Sequence, residues 1–262
     1  MPRRTDSIPE RFGYQWAKYR ELLPLYESQF LRWIAPLGPD DFRGKKVLDA
    51  GCGMGRNSLW AATWGAREVV AFDADPRTVA SASQNLREIP NAKVVLKSIY
   101  DIEWEDEFDI AFSVGVIHHL ENPELAVRKL AHAVKPGGKV LAWLYGYEGN
   151  EWIVRFVSPL RRRMLSRLPP RVLDVLTYGV SVPLYLGLKI LPMRHPYYRQ
   201  LKGFAFRHIH IIVFDHLHPP ISRYYRHDEA EALLRQAGLA DVRAIRVNDN
   251  SWSVIGTKVA AP

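Results

Sequence analysis

Asp49-Ala50-Gly51-Cys52-Gly53-Met54-Gly55 sets an acid two residues ahead of three glycines at alternate positions, a pattern that bares backbone for a ligand. Glycine at such a turn lets the chain reverse tightly and lets a ligand reach main-chain N–H groups without intervening side chains. The dinucleotide fingerprint G-x-G-x-x-G, counted from Gly51, needs a third glycine at position 56, where this chain has Arg56. Asp49 would repel a pyrophosphate and attract a ligand with a cationic amino-acid part. Asp73 lies 22 residues beyond Gly51, the interval at which a carboxylate accepts the hydroxyls of a ribose. His118 and His119 follow a further apolar run, and an ordinary imidazole pKa of about 6.5 suits either to general base work near neutrality.

Strands and helices in alternation must position these groups. Val47-Leu48 reads as a buried strand running into the glycine turn, and Ser58-Leu59-Trp60-Ala61-Ala62 as helix that Gly65 can stop. Further strands are expected at 68–73, 92–98, 108–113 and 139–144. Asp75-Pro76 and Asn122-Pro123 start the helices between them, and Lys135-Pro136-Gly137-Gly138 turns into the fifth strand. A helix over 228–237 ends at Gly238, and 242–247 with 252–259 form a hairpin about Asn248-Asp249-Asn250.

The glycine turn, the two aspartates, the segment Val114-Gly115-Val116-Ile117-His118-His119-Leu120 and the Lys-Pro-Gly-Gly turn occur in the order and spacing of the class I S-adenosylmethionine-dependent methyltransferases. The chain resembles that family over residues 45–145 and again at its C-terminal end. The resemblance implies an α/β fold, a Rossmann-like three-layer α/β/α sandwich. Its seven-stranded, mostly parallel sheet would carry an antiparallel C-terminal edge hairpin and a helical insertion after the fifth strand. S-adenosylmethionine is the implied cofactor, with Asp49, Gly51, Gly53 and Gly55 at its methionine part and Asp73 at its ribose. Ala74, Ser98, Ile99, Ser113 and Val114 are further implied contacts. Ser98 departs from the family, which places an acid there for the adenine amino group; the serine hydroxyl, the backbone at Ile99 and Asp101 are the alternatives. In similar small-molecule O-methyltransferases a histidine at the place of His118 takes the acceptor proton, which makes His118, His119 and Tyr145 the catalytic candidates. Tyr147, Arg223, Tyr224 and Tyr225 are expected on the acceptor side.

Residues 1–40 are expected to be a helical lid, in which Tyr14, Trp16 and Tyr19 cover the cofactor or simply pack. Residues 41–149 and 208–262 form the core, and 150–207 the insertion. From Glu151 to Arg207 eleven Lys and Arg face two acids, a net of +9; the whole chain is +8, so everything else sums to −1. Within the insertion the uncharged run Val175 to Leu188 contains Gly179 and Pro183 and is shorter than a membrane span, which needs about 20 residues. It is expected as a buried helix pair or an interfacial element. Arginines around aliphatic residues suit a lipophilic, anionic acceptor or an anionic membrane surface; a solvated face and a dimer interface compete. Nucleic acid ranks lower, because aliphatic segments stack bases poorly. Oligomeric state is open. His208, His210, Asp215, His216 and His218 read as a polar strand and loop or, less favoured, a metal site; no metal is expected. The single cysteine, Cys52, excludes a disulfide framework, and Met1-Pro2-Arg3-Arg4-Thr5-Asp6 shows no apolar run after its arginines, so a cytoplasmic protein without a secretory signal is expected. The expected activity is methyl transfer to a small lipophilic or anionic acceptor, at oxygen by preference, with an RNA methyltransferase and a non-catalytic membrane-peripheral protein as competing readings.

Overall fold

In the computed structural model, which describes residues 7–259, a seven-stranded sheet is built from Lys46–Ala50 (β1), Glu68–Asp73 (β2), Ala92–Leu96 (β3), Phe108–Val114 (β4), Val134–Tyr145 (β5), Leu239–Val247 (β6) and Ser251–Lys258 (β7). Its order is β3-β2-β1-β4-β5-β7-β6. β1 to β5 pair in parallel, while β7 runs antiparallel to both β5 and β6. The first six residues, read for a leader, lie outside the described residues.

Strands covered on both faces read as unbroken apolar runs, which is why Val47-Leu48, Val69-Val70-Ala71-Phe72 and Ile110-Ala111-Phe112 stand out. One face packs under Arg56–Thr63 (α4), Leu25–Trp33 (α2) and Pro39–Phe42 (α3), while the N-terminal helix Ile8–Lys18 (α1) lies against Pro76–Asn85 (α5). α5 links β2 to β3, and Pro123–Ala133 (α6) links β4 to β5. The expected caps are in place: the Asp75 carboxylate accepts from Arg77 N at 2.9 Å, and Asn122 Oδ1 from Leu125 N at 2.9 Å. Asn248 and Asp249 take positive φ in the β6–β7 turn, the backbone a tight hairpin requires.

The third strand ends at Leu96 rather than 98, because Ser98 caps the 3-10 turn Ile99–Asp101 with its Oγ accepting from Tyr100 N. After β5 the insertion runs through Ser158–Arg163 (α7), Pro170–Ile190 (α8), Pro196–Lys202 (α9) and Phe206–Leu217 (α10), past the boundary expected at 207. The apolar run is therefore one continuous helix of 21 residues and not a pair, with Pro183 inside it. α10 corrects the strand expected around His208 and His210: residues two apart on a helix lie about 200° apart, so these histidines face different neighbours. His227–Arg235 (α11) then leads into the hairpin.

Candidate active site

A cavity of about 470 Å³ opens at the carboxyl ends of β1, β2, β4 and β5, in the crevice beside the point where strand order reverses between β1 and β4. Its size is that of a small-molecule site. Gly51, Cys52 and Gly53 form part of its wall, with Gly51 at φ +78° and Gly53 at φ +56°. A Cβ on Gly51 would meet Val116 at 2.5 Å, and one on Gly53 would press on the Trp16 ring at 3.3 Å. Gly51 N and Cys52 N donate to the Phe72 carbonyl, which ties the turn to β2. Burial pushes the Cys52 thiol well above its usual range, so it is no nucleophile.

Asp73 lines the cavity at the end of β2, accepting from Gly53 N and from Asp75 N at 3.2 Å each. Burial raises its pKa to about 6, against the pull of those backbone N–H groups. Each carboxylate oxygen keeps a further lone pair for a ligand. Asp49 does not line the cavity. It is 1% exposed, accepts from Ser58 Oγ at 2.5 Å, and is pushed by burial up to about 7. Two acids thus lie beneath the turn with no ion pair among the described residues, a field that favours positive charge in the cavity.

Arg56, the first residue of α4, also lines the cavity. Its guanidinium sits 5.0 to 5.5 Å from the ring centres of Trp16, Tyr26 and Trp33, and burial pulls its pKa down. The roof is supplied by Phe12, Gln15 and Trp16 of α1 and by Tyr197, His208, Ile212, Asp215 and His216 of α9 and α10. Of the aromatics expected in the lid, Trp16 alone meets the cavity; Tyr14 and Tyr19 turn the other way and hydrogen-bond Asp174.

His119 lines the cavity and His118 does not. His119 Nδ1 lies 2.7 Å from the Ile221 carbonyl, which can only accept, so Nδ1 carries the proton and Nε2 the lone pair. Nε2 has no protein partner among the described residues. Burial holds its pKa at about 4. His118 is fully buried behind it, its ring 3.9 Å from that of Tyr145, and burial drives its pKa well below 6.5; it is a neutral packing histidine. Tyr145 lines the cavity and donates to Asp215 Oδ2 at 3.2 Å. The His119, His216 and His218 side chains help draw the Asp215 carboxyl below the usual range, although burial opposes them.

A family profile described as a methyltransferase domain matches residues 48–142, the stretch that holds the turn, Asp73 and both histidines. The chain belongs to the class I S-adenosylmethionine-dependent methyltransferase family. It is 32% identical over 135 residues to the mitochondrial ubiquinone biosynthesis O-methyltransferase of Dictyostelium discoideum, over 44% of this chain and 42% of that protein. It is 41% identical over 98 residues to the ribosomal protein L11 methyltransferase of Burkholderia orbicola (strain MC0-3), over 37% of this chain and 31% of that one. The chain therefore spans less than half the length of these two curated relatives. Human N-acetylserotonin methyltransferase in complex with SAM shares the fold, with a TM-score of 0.58 at 14% identity over 97% of this chain and 57% of that one.

The residues of this methyltransferase-family site suit the family's cofactor. A bare glycine turn, a half-buried carboxylate with no ion pair among the described residues and a wall of Ala74, Ser98 and Ile99 offer a cradle, a ribose acceptor and a base slot. Val114 lines the cavity too. Ser113 and Gly55 do not: the Ser113 hydroxyl donates to the Ala50 carbonyl at 2.9 Å, and Gly55 packs on Leu86. The expected acceptor contacts Tyr147, Arg223, Tyr224 and Tyr225 stand outside the cavity as well. Tyr147 N donates to Tyr225 O, Tyr225 N to Tyr145 O and Arg223 N to His118 O, so this segment buttresses the catalytic wall from behind. Sequence reasoning missed Arg56, and it singled out His208, Asp215 and His216 but placed them on a strand and loop instead of the helix α10. Among the described residues no three His, Cys, Asp or Glu gather as a metal site.

Proposed function

We propose that this chain transfers a methyl group from S-adenosylmethionine to an oxygen of a small, lipophilic acceptor. The observation that carries the reading is Asp73, a half-buried carboxylate that faces the cavity beside the glycine turn with no ion pair among the described residues. When bound, S-adenosylmethionine supplies an electrophilic methyl group on a sulfonium. Gly51 and Gly53 offer the backbone against which its methionine part rests, Asp73 accepts from its ribose, and Ser98 with Ile99 borders its base. The rings of Phe12, Trp16 and Trp33 exclude water and keep the two reactants in line. His119 Nε2 takes the acceptor's proton while Nδ1 stays bonded to the Ile221 carbonyl. The ubiquinone O-methyltransferase relative supports oxygen as the methylated atom.

Arg56 sets a guanidinium at the cavity wall among the rings of Trp16, Tyr26 and Trp33, and it matches a carboxylate on either the cofactor or the acceptor. Calorimetry with S-adenosylhomocysteine, with NAD as control, tests the reading. Micromolar binding of the first and none of the second is expected; tighter binding of NAD would sink it. In Arg56→Gln, a tenfold or greater loss of S-adenosylhomocysteine affinity assigns the guanidinium to the cofactor, whereas unchanged affinity with a raised acceptor KM assigns it to the acceptor.

His119→Gln is expected to lower kcat by roughly 10² to 10⁴ while leaving cofactor affinity unchanged. With the imidazole held at about 4, it is neutral above pH 5, so the acid limb of kcat/KM should fall near pH 4. A limb at 6.5 would mean that His119 titrates as a solvated imidazole and is not the buried base.

A further inference from the structure

α8 turns a largely polar face inward, where it is covered, and an apolar face outward, where it is not. Leu173, Asp174, Thr177, Ser181 and Leu188 are buried against the fold. Val172, Val175, Leu176, Val180, Leu186 and Ile190 are 47 to 78% exposed. At about 100° per residue these outward residues, with Gly179, Pro183 and Gly187, fill a stripe roughly 140° wide that carries no charge for five turns. Arg171 and Lys189 stand 18 residues apart, hence at the same angle, along one edge of it. A second stripe precedes it in the chain: Trp152, Phe156, Leu160 and Met164, each four residues from the last, are 47 to 65% exposed. Between and beside the stripes Arg155, Arg162, Arg163, Arg167 and Arg171 are exposed. The stretch from 151 to 207 holds only two acids, and one of them, Asp174, is committed to Lys18 and His210.

We propose that the outer face of α8 is a docking surface for an anionic lipid bilayer, on which the helix lies flat. An apolar face buried at the depth of the acyl boundary with a cationic margin at the headgroups is the arrangement of a helix in the interface plane. The helix is long and apolar enough to cross a membrane by length and composition. Its inner face argues against crossing: Asp174 accepts from Tyr19 and contacts His210, and the Ser181 hydroxyl lies 2.8 Å from His210 Nδ1, in a network that fastens α8 to α1 and α10. A second copy is a poorer occupant, since a self-complementary contact would bring one +9 segment against another. The proposal is independent of the methyl-transfer reading.

Flotation of the full chain with vesicles tests it. On vesicles of phosphatidylcholine with 30% phosphatidylglycerol at low salt, at least tenfold more bound protein is expected than on phosphatidylcholine alone, and binding should fall steeply as salt rises. Val175→Glu with Leu186→Glu should abolish flotation while leaving S-adenosylhomocysteine affinity and the thermal midpoint as in the wild type, because neither side chain touches the core. Arg162→Gln with Arg163→Gln should weaken flotation on anionic vesicles severalfold. No wild-type flotation, or flotation undiminished by the double glutamate variant, overturns the proposal. So does a wild-type dimer in sedimentation that the glutamates dissolve without any vesicle binding.

Discussion

Asp73→Asn is expected to weaken S-adenosylmethionine binding about a hundredfold or more, roughly 2.7 kcal/mol, and at the same time to gain stability relative to the wild type as the ligand-free proteins are taken from pH 4 to pH 7. The two effects share one cause. The carboxylate is half-buried at the end of β2, and that burial, with the charge of Asp75 beside it, raises its pKa from 3.8 to about 6. A raised acid binds its proton more tightly in the folded chain than in the unfolded one. Its neutral form therefore costs nothing below pH 4. The penalty grows as pH rises from about 4 to about 6 and stays constant above. Gly53 N and Asp75 N donate to different carboxylate oxygens, of which asparagine keeps only one while carrying no charge, so the variant should lie below the wild type near pH 4 and gain about 1 to 2 kcal/mol on it by pH 7. Thermal unfolding at the two pH values, with and without S-adenosylhomocysteine, reads both effects. If the stability difference between the two proteins is the same at both pH values, the carboxylate holds no raised pKa and serves the backbone of the turn rather than a ligand.

That acid was legible in the sequence, and so were the elements that present it. Asp73 ends a run of apolar residues that only a doubly covered parallel strand needs, and its interval from Gly51 is set by the length of one helix and one strand. The reversed β6–β7 edge was equally visible, because Asn248-Asp249-Asn250 can hold the positive φ of a tight turn. The roof was not. His208-x-His210 has the alternation of a strand, yet Phe206, Ile209, Val213 and Phe214 recur at helical spacing and their burial decides the outcome. Arg56 was read as the residue that breaks a dinucleotide motif; that its side chain would rest among Trp16, Tyr26 and Trp33 depends on two helices whose packing no local pattern encodes. Tyr224 and Tyr225 follow β-sheet logic instead of ligand logic. Tyr225 bridges to Gly146, and the aromatic side chains fill space behind Tyr145.

Asp174→Ala should be the most damaging substitution outside the cavity, lowering stability by about 3 to 5 kcal/mol and the thermal midpoint by roughly 10 °C. Asp174 is 2% exposed on α8 and gathers the Tyr14 hydroxyl at 3.2 Å, the Tyr19 hydroxyl at 2.8 Å, the Lys18 ammonium and His210 Nε2 at 3.1 Å. Burial pushes its pKa up, but the hydrogen bonds from Lys18, Tyr19 and His210 outweigh burial and leave the carboxyl below its usual range. A depressed acid stabilises the fold above the unfolded pKa of about 3.8 and loses that contribution as pH falls through the folded value, so the difference between wild type and Asp174→Asn should shrink on acidification. The consequence reaches the active site through α1. Tyr14, Lys18 and Tyr19 hold that helix to the insertion, and the Arg11 guanidinium adds bonds to the carbonyls of Ser166, Leu168 and His218. Phe12, Gln15 and Trp16 on the same helix close the cavity. Cutting the Asp174 anchor should therefore expose α1 to proteolysis and raise the KM for S-adenosylmethionine, although no residue changed touches the cavity. Limited proteolysis with and without S-adenosylhomocysteine distinguishes this from a uniform loss of stability: cleavage confined to α1 and suppressed by the ligand supports an insertion that holds the lid, and cleavage spread over the whole chain refutes it.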